Sequence, residues 1–196
     1  DFYECVIAPE FDPEAFKILA AKKNIRLLTL PGLGQGLNPN RGYDLKKVVG
    51  GLLIQERDSS QENVRQSKIV TKRSPTEDEW QALSFAWKVC KHVKSNAIVL
   101  AGREGKIMRT VGIGCGQMSR IDSTKIAIQK AREDCKGAVI ASDAFFPFKD
   151  NVDAAAKAGV TGIVQPGGSL RDQESIDAAD QHGMTMIFTG IRHFRH

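Results

Sequence analysis

The chain has 196 residues, which allows one large or two small domains with a hydrophobic core of ordinary size. Its residues are 41% apolar, 26% charged and 7% aromatic, the balance of a soluble globular protein, and no apolar run approaches bilayer-spanning length. The 28 basic side chains exceed the 23 acidic ones only mildly, and the longest basic runs are pairs such as Lys22-Lys23, Lys46-Lys47 and Lys72-Arg73. That dispersed charge suits a small anionic ligand better than a nucleic acid, which needs stripes or clusters of cations.

Residues 3–8 (YECVIA) predict a short strand, followed by a helix over 13–23 that Asp12 caps and Pro13 opens. A strand over 25–30 (IRLLTL) completes one β-α-β unit, which has no complete core of its own. Residues 31–43 (PGLGQGLNPNRGY) read as a linker, 48–55 as a strand and 57–68 as a polar loop. From Ser74 onward strands and helices alternate. Thr76 and Glu79 form a capping box for a helix whose Trp80, Leu83, Phe85, Ala86, Trp87 and Val89 are spaced to pack inward. Strands over 96–101 and 107–114, joined by a turn at 102–105, precede a helix over 119–134. Strands over 137–141, 161–165 and 184–189 then alternate with helices over 151–158 and 170–182, the second opened by a capping box of Ser169 and Asp172. The pattern predicts an α/β fold, with a mainly parallel or mixed sheet covered by helices on both faces.

Four cysteines, Cys5, Cys90, Cys115 and Cys135, show no paired spacing, and Cys90 with His92 is too isolated to make a zinc site. Free, mostly buried thiols in a reducing cytosol are expected. The N-terminus has no signal-peptide layout, and Asp1 already lies in a strand-like stretch, so a fragment lacking its upstream part is expected.

Several segments could carry chemistry. Residues 192–196 (RHFRH) gather cationic, stacking and proton-transfer groups directly after an apolar strand, which favours a ligand-binding terminus over a frayed basic tail. Residues 112–120 (GIGCGQMSR) run from a strand through a glycine turn into a helix start, where free N–H groups and Arg120 could hold a carboxylate or phosphate. Close packing of helix on sheet explains the same glycines equally well. The segment is neither a dinucleotide fingerprint, since Gln117 replaces the third glycine, nor a P-loop. Residues 142–150 (SDAFFPFKD) follow a strand end, where α/β proteins place ligands. Phenylalanines around Pro147 are costly to expose unless something flat stacks on them, and Asp143 and Asp150 flank them to fix a polar group or ion. The competing reading is a loop folded back into the core. Asn96 reads on spacing alone as a cap or turn residue, residues 166–169 (PGGS) as an anion loop or a plain helix start, and His92 and His182 as partners of helix dipoles.

Taken together, SNAIV at 95–99, GIGCGQMSR at 112–120, SDAFFPFKDNVDAAAKAG at 142–159, QPGGSLRD at 165–172 and TGIRHFRH at 189–196 resemble one family. That family is the bacterial aminoimidazole-carboxamide ribonucleotide (AICAR) transformylase, in its C-terminal part, where the activity is joined to IMP cyclohydrolase in a bifunctional purine-biosynthesis protein. The resemblance runs through the whole chain in order, including YECVIAPEF at 3–11 and KKNIRLL at 22–28. It implies a three-layer α/β/α, cytidine-deaminase-like architecture with a mixed sheet, present twice in the complete transformylase. Residues 1–43 would close the first copy, 44–73 would bridge, and 74–196 would form the second copy. The deaminase zinc signature is absent, in keeping with a family that uses no catalytic metal.

The implied reaction moves a formyl group from 10-formyltetrahydrofolate to the 5-amino group of AICAR. That amine is a weak nucleophile, so a proton must be removed and a tetrahedral oxyanion stabilised. By resemblance Asn96 is the catalytic hydrogen-bonding group, and Phe145, Asp150, Arg192, Phe194 and His196 hold AICAR, with Arg192 suited to its 5′-phosphate. Ser119, Arg120, Ile121, Pro147, Phe148 and Asn151 would face the folate, and a potassium ion would lie near Asp143. A cytoplasmic homodimer without nucleic-acid or membrane partners is implied as well. The family's catalytic Lys-His pair lies upstream of this region, and Lys91-His92 belongs to a different motif. This chain alone is therefore expected to lack transformylase activity. The alternative is a stand-alone module that binds AICAR-like anions or a partner chain.

Overall fold

The computed structural model describes residues 3–33 and 42–195, and the chain divides into two compact units, Asp1–Ser60 and Gln61–His196. The division falls inside the 44–73 segment expected to act as a bridge. In the first unit β1 (Cys5–Ala8) and β2 (Arg26–Thr29) pair in parallel, with Val6 opposite Leu27, and α1 (Pro13–Ala20) makes the crossover. The Asp12 carboxylate caps α1 by accepting the N–H groups of Glu14 at 3.0 Å and Ala15 at 2.9 Å. The strand expected over 48–55 is instead a hairpin of β3 (Tyr43–Val48) and β4 (Gly51–Glu56). Gly50, with φ of 82°, supplies the left-handed residue that turns the chain between them. Part of the predicted linker, 34–41, lies outside the described residues.

The second unit is a mixed α/β domain built on a six-stranded mixed sheet of order β5-β10-β9-β8-β6-β7. Its strands are β5 (Lys68–Ile69), β6 (Ile98–Glu104), β7 (Ile107–Gly114), β8 (Val139–Ser142), β9 (Gly162–Gln165) and β10 (Thr185–Phe188). Strands β8, β9 and β10 run parallel, while β5, β6 and β7 pair antiparallel with their neighbours. The polar loop expected over 57–68 contains a 3-10 turn, Val64–Gln66, and runs into β5. The helices are α2 (Glu77–Cys90), α3 (Arg120–Ala131), α4 (Asp150–Lys157) and α5 (Asp172–Gln181). Strand side chains alternate between faces. Ile98 and Leu100 accordingly join a buried cluster with Ala127, Val152 and Ala179, from α3, α4 and α5. Val99 and Ala101 join another with Leu83, Ala86 and Trp87 of α2. No helix of the described residues is long and apolar enough to cross a membrane.

Two of the sequence's local signals are realised in full. Asp12 caps α1, and Thr76 and Glu79 cap α2 reciprocally; Ser119, which the sequence did not single out as a cap, also caps α3 through the Asp122 N–H at 3.2 Å. The box expected from Ser169 and Asp172 is not formed. The left-handed turn at Gly167 and Gly168 brings the Gly168 N–H, not Ser169, to the Asp172 carboxylate at 2.6 Å, and Ser169 Oγ accepts from the Arg171 N–H. The thiols also differ from expectation, for Cys90 and Cys135 are buried whereas Cys5 and Cys115 are exposed.

Arg73 fastens the segment before α2. Its two terminal nitrogens meet the Glu79 carboxylate at 2.8 Å each, its Nε donates to Gly183 O at 2.7 Å and Nη2 to Thr161 O at 2.6 Å. Burial by itself would raise the Glu79 carboxyl. The bidentate arginine and the Thr76 N–H outweigh it and hold the group down to about 2.

Candidate functional site

Parallel strands release their chains at one edge of a sheet, and open α/β sheets bind ligands there. The loops that leave β8, β9 and β10 therefore share an edge. Asn96, just ahead of β6, lies at the same edge, since Ile98 pairs with Ser142 at the end of β8. The chain after β10 is held against this edge through alternate residues. The His193 N–H donates to Asp143 O at 2.9 Å, Arg195 O accepts the Ser95 N–H at 2.9 Å, and the Arg195 N–H donates to Ser95 Oγ at 3.0 Å. Arg192 immediately precedes the first of these anchor points, its guanidinium 4.9 Å from the centre of the Phe145 ring. A Cβ added to Gly168 would stand 3.7 Å from Arg192 Nη2, so the loop after β9 borders the same guanidinium. Phe194 is exposed, and His196 lies outside the described residues.

Asn96 is fixed by the glycine turn opposite it. Its Nδ2 donates to Gln117 O at 2.7 Å, and its carbonyl accepts from Ser123 Oγ of α3 at 2.8 Å. Arg120 turns inward onto Asp143 at 3.1 Å, in an ion pair whose side chains are 11% and 0% exposed. A carboxylate so buried is tolerable because the guanidinium compensates it. Asp143 Oδ2 and Arg120 Nε have no hydrogen-bond partner among the described residues. Cys90, underneath, donates weakly to Ala97 O at 3.7 Å, and burial, then the charge of Asp143, pushes its thiol well above the ordinary range.

The phenylalanine loop is divided between core and surface. Phe146 is fully buried in the core, Phe145 and Pro147 are half-buried, and Phe148 is 49% exposed with the Arg171 guanidinium 5.1 Å from its ring centre. Asp150 Oδ1 accepts from the backbone and side-chain nitrogens of Asn151 at 2.8 and 2.9 Å. Asn151 is 1% exposed and accepts from Thr124 Oγ1 at 2.8 Å, which ties α4 to α3. Ser119 and Ile121 are half-buried at the start of α3. For two of the glycines the packing explanation holds. A Cβ on Gly112 would meet Ala127 O at 2.1 Å, and one on Gly114 would meet Ser123 O at 1.8 Å, both backbone atoms of α3.

Residues that sequence reasoning passed over complete the edge. Gln165, fully buried at the end of β9, accepts the Phe146 N–H on its Oε1 at 2.7 Å, and its backbone carbonyl accepts the Thr189 N–H at 3.0 Å. The sequence did hold a signal, a glutamine closing an otherwise apolar strand before Pro-Gly-Gly. A cavity of about 630 Å³ opens beside the loops after β9 and β10, lined among others by Glu62, Asn63, Lys68, Pro166 and Thr189. Glu62 and His193 also meet in the interior.

An amide, a buried ion pair, an aromatic loop and a cationic tail thus collect at the carboxyl edge of the parallel strands of this α/β domain. The model of the AICARFT/IMPCHase bienzyme family matches residues 1–130, and the chain belongs to that family. It is 57% identical over 195 residues to the bifunctional purine biosynthesis protein PurH of Thermoanaerobacter sp., covering 100% of this chain and 37% of that one. It is 53% identical over 205 residues to PurH of Magnetococcus marinus, covering 100% of this chain and 38% of that one. The chain thus spans little more than a third of the length of these relatives. Among solved structures, RibD of Acinetobacter baumannii is similar over 58% of this chain and 34% of its own, at 15% identity and a TM-score of 0.38.

Proposed function

We propose that this chain is the C-terminal portion of a formyltransferase that transfers a formyl group from 10-formyltetrahydrofolate to AICAR in purine (IMP) biosynthesis, within a longer protein that also carries IMP cyclohydrolase. The observation that carries the proposal is the fastening of residues 193 and 195 onto Asp143 and Ser95, which sets Arg192 beside Phe145 at the edge where Asn96 also lies. Family membership supports it independently. The second unit takes the role of a three-layer, cytidine-deaminase-like subdomain. The first, with no buried residue among those described, takes the role of the closing part of another copy. The whole protein works as a cytoplasmic homodimer.

Arg192 takes the 5′-phosphate, Phe145 and Asp150 hold the base and ribose, and Phe194 and His196 close the nucleotide pocket. The amide of Asn96, oriented by Gln117 O, hydrogen-bonds near the reacting amine and the formyl oxygen, where charge develops in the transition state. The exposed Phe148 ring offers the folate a stacking surface beside Pro147, Ser119 and Ile121. Arg120 and Asn151, both turned into the protein, hold the walls on which the folate rests. A potassium ion, as the family resemblance implies, would be held near Asp143, whose Oδ1 meets Arg120 while its buried Oδ2 has no hydrogen-bond partner among the described residues and is of the oxygen type such an ion takes. The amine proton leaves to a Lys-His pair in the remaining part of the longer protein. The full-length protein is expected to formylate AICAR with 10-formyltetrahydrofolate, and this chain alone is expected not to. Formylation above background by the chain alone overturns its inactivity, and none by the full-length protein overturns the function.

A further inference from the structure

One buried constellation beneath the same edge takes no part in the chemistry above. His193 is 1% exposed, and its imidazole stacks at a 54° tilt on Trp87 of α2 with ring centres 4.6 Å apart. Its Nε2 stands 3.5 Å from Glu62 Oε2, and the Trp87 indole N–H donates to that same oxygen at 3.4 Å. The Glu62 side chain is itself only 14% exposed. The neighbours of His193 on either side, Arg192 and Phe194, are exposed. A segment without secondary structure after the last strand of a sheet ordinarily frays. Here it is plugged into the fold by one aromatic ring.

We propose that His193 is a positioning residue, the anchor that sets where Arg192 and Phe194 stand, through its stacking on Trp87 and an Nε2–H directed at Glu62. The consequence for AICAR binding rests on the function proposed above; the anchoring itself does not. A carboxylate this buried needs donors on both lone-pair sides. Trp87 supplies one, and the imidazole Nε2, 3.5 Å away, is placed to supply the other as the segment seats, whereas an aliphatic side chain of similar volume would supply packing alone. Two backbone hydrogen bonds at 193 and 195 then lock the register of the segment, and the side chain of 193 locks its depth.

The test is amide hydrogen exchange over residues 191–195 in the full-length protein, together with steady-state kinetics. His193→Ala and Glu62→Ala are each expected to speed exchange of this segment by about tenfold or more while β8 and β9 stay protected. His193→Gln, which keeps a donor for Glu62, is expected to retain most of the protection, and His193→Leu is not. In the kinetics, His193→Ala is expected to raise the KM for AICAR about tenfold and to leave the KM for 10-formyltetrahydrofolate within about twofold. Unchanged exchange in Glu62→Ala, or full protection in His193→Leu, overturns the anchor. Exchange is read without turnover, so a wild-type protein that formylates nothing sinks the function above and leaves this inference to stand or fall on exchange alone.

Discussion

The two units of this chain are built from similar apolar strands and differ in what those strands achieve. In the second unit Ile98, Val99, Leu100 and Ala101 of β6 are all fully buried, because helices lie against them on both faces. In the first unit β4 carries Leu52, Leu53 and Ile54 in succession, and they are 52%, 56% and 62% exposed. Every described residue of that unit has some solvent contact beyond the buried range, and α1 covers nothing completely. Ladder hydrogen bonds and apolar composition thus define strands without defining a core; burial requires a second layer. The stability of this chain accordingly resides in residues 61–196.

The strongest way to break that comparison is to separate helix from sheet in the second unit. Gly114→Ala places a methyl against the Ser123 carbonyl, a backbone atom that cannot swing aside, and is expected to cost about 3 kcal/mol or more by denaturant titration. A loss below about 1 kcal/mol would show that α3 retreats freely. A smaller effect is expected at Arg73, whose removal strands the Glu79 carboxylate; Arg73→Ala should cost about 2–4 kcal/mol. This loss carries a pH signature. The Glu79 carboxyl, about 2 in the folded protein against an ordinary 4.5, contributes stability that is complete above 4.5 and disappears as pH falls toward 2. Melting temperatures between pH 2 and 5 should therefore fall more steeply with acid in the parent than in Arg73→Ala; parallel slopes would refute the assignment. The least effect belongs to the first unit, where Leu53→Ser should change the stability of this chain by no more than about 0.5 kcal/mol. A larger loss would reveal a packing partner for the hairpin and narrow the contrast between the units.

What could be read from the sequence follows the same division. Signals that act within four residues were legible: Asp12 before Pro13 and Thr76 with Glu79 both cap the helices they announce. Alternation failed for β3 and β4, because LLI in β4 has no polar partner positions to mark a face, and the turn at Val49-Gly50 is short. The Ser169–Asp172 spacing misled, since two left-handed glycines presented a different N–H to the carboxylate. The glycines at 112 and 114 were ambiguous for a deeper reason. Whether they cradle a ligand or admit a helix depends on the path of α3, set by contacts with Ala127 and Ser123 that no local pattern encodes. Of the candidate site, the segments the motifs singled out at 95–96, 142–150, 166–169 and 192–195 lie at the carboxyl edge of the parallel strands. The motifs did not reveal that Arg120 would face Asp143, that Asn151 would be interior, or that Glu62 would reach His193.

Gln165 links three segments that are far apart along the chain. Its side chain holds the Phe146 amide of the loop after β8, its carbonyl holds the Thr189 amide after β10, and Pro166 immediately begins the loop after β9. None of these loops can swing outward on its own without dragging on the others. Displacing any one of the three strains the hydrogen bonds that hold its neighbours, so the rim is braced at one buried residue through both its side chain and its backbone.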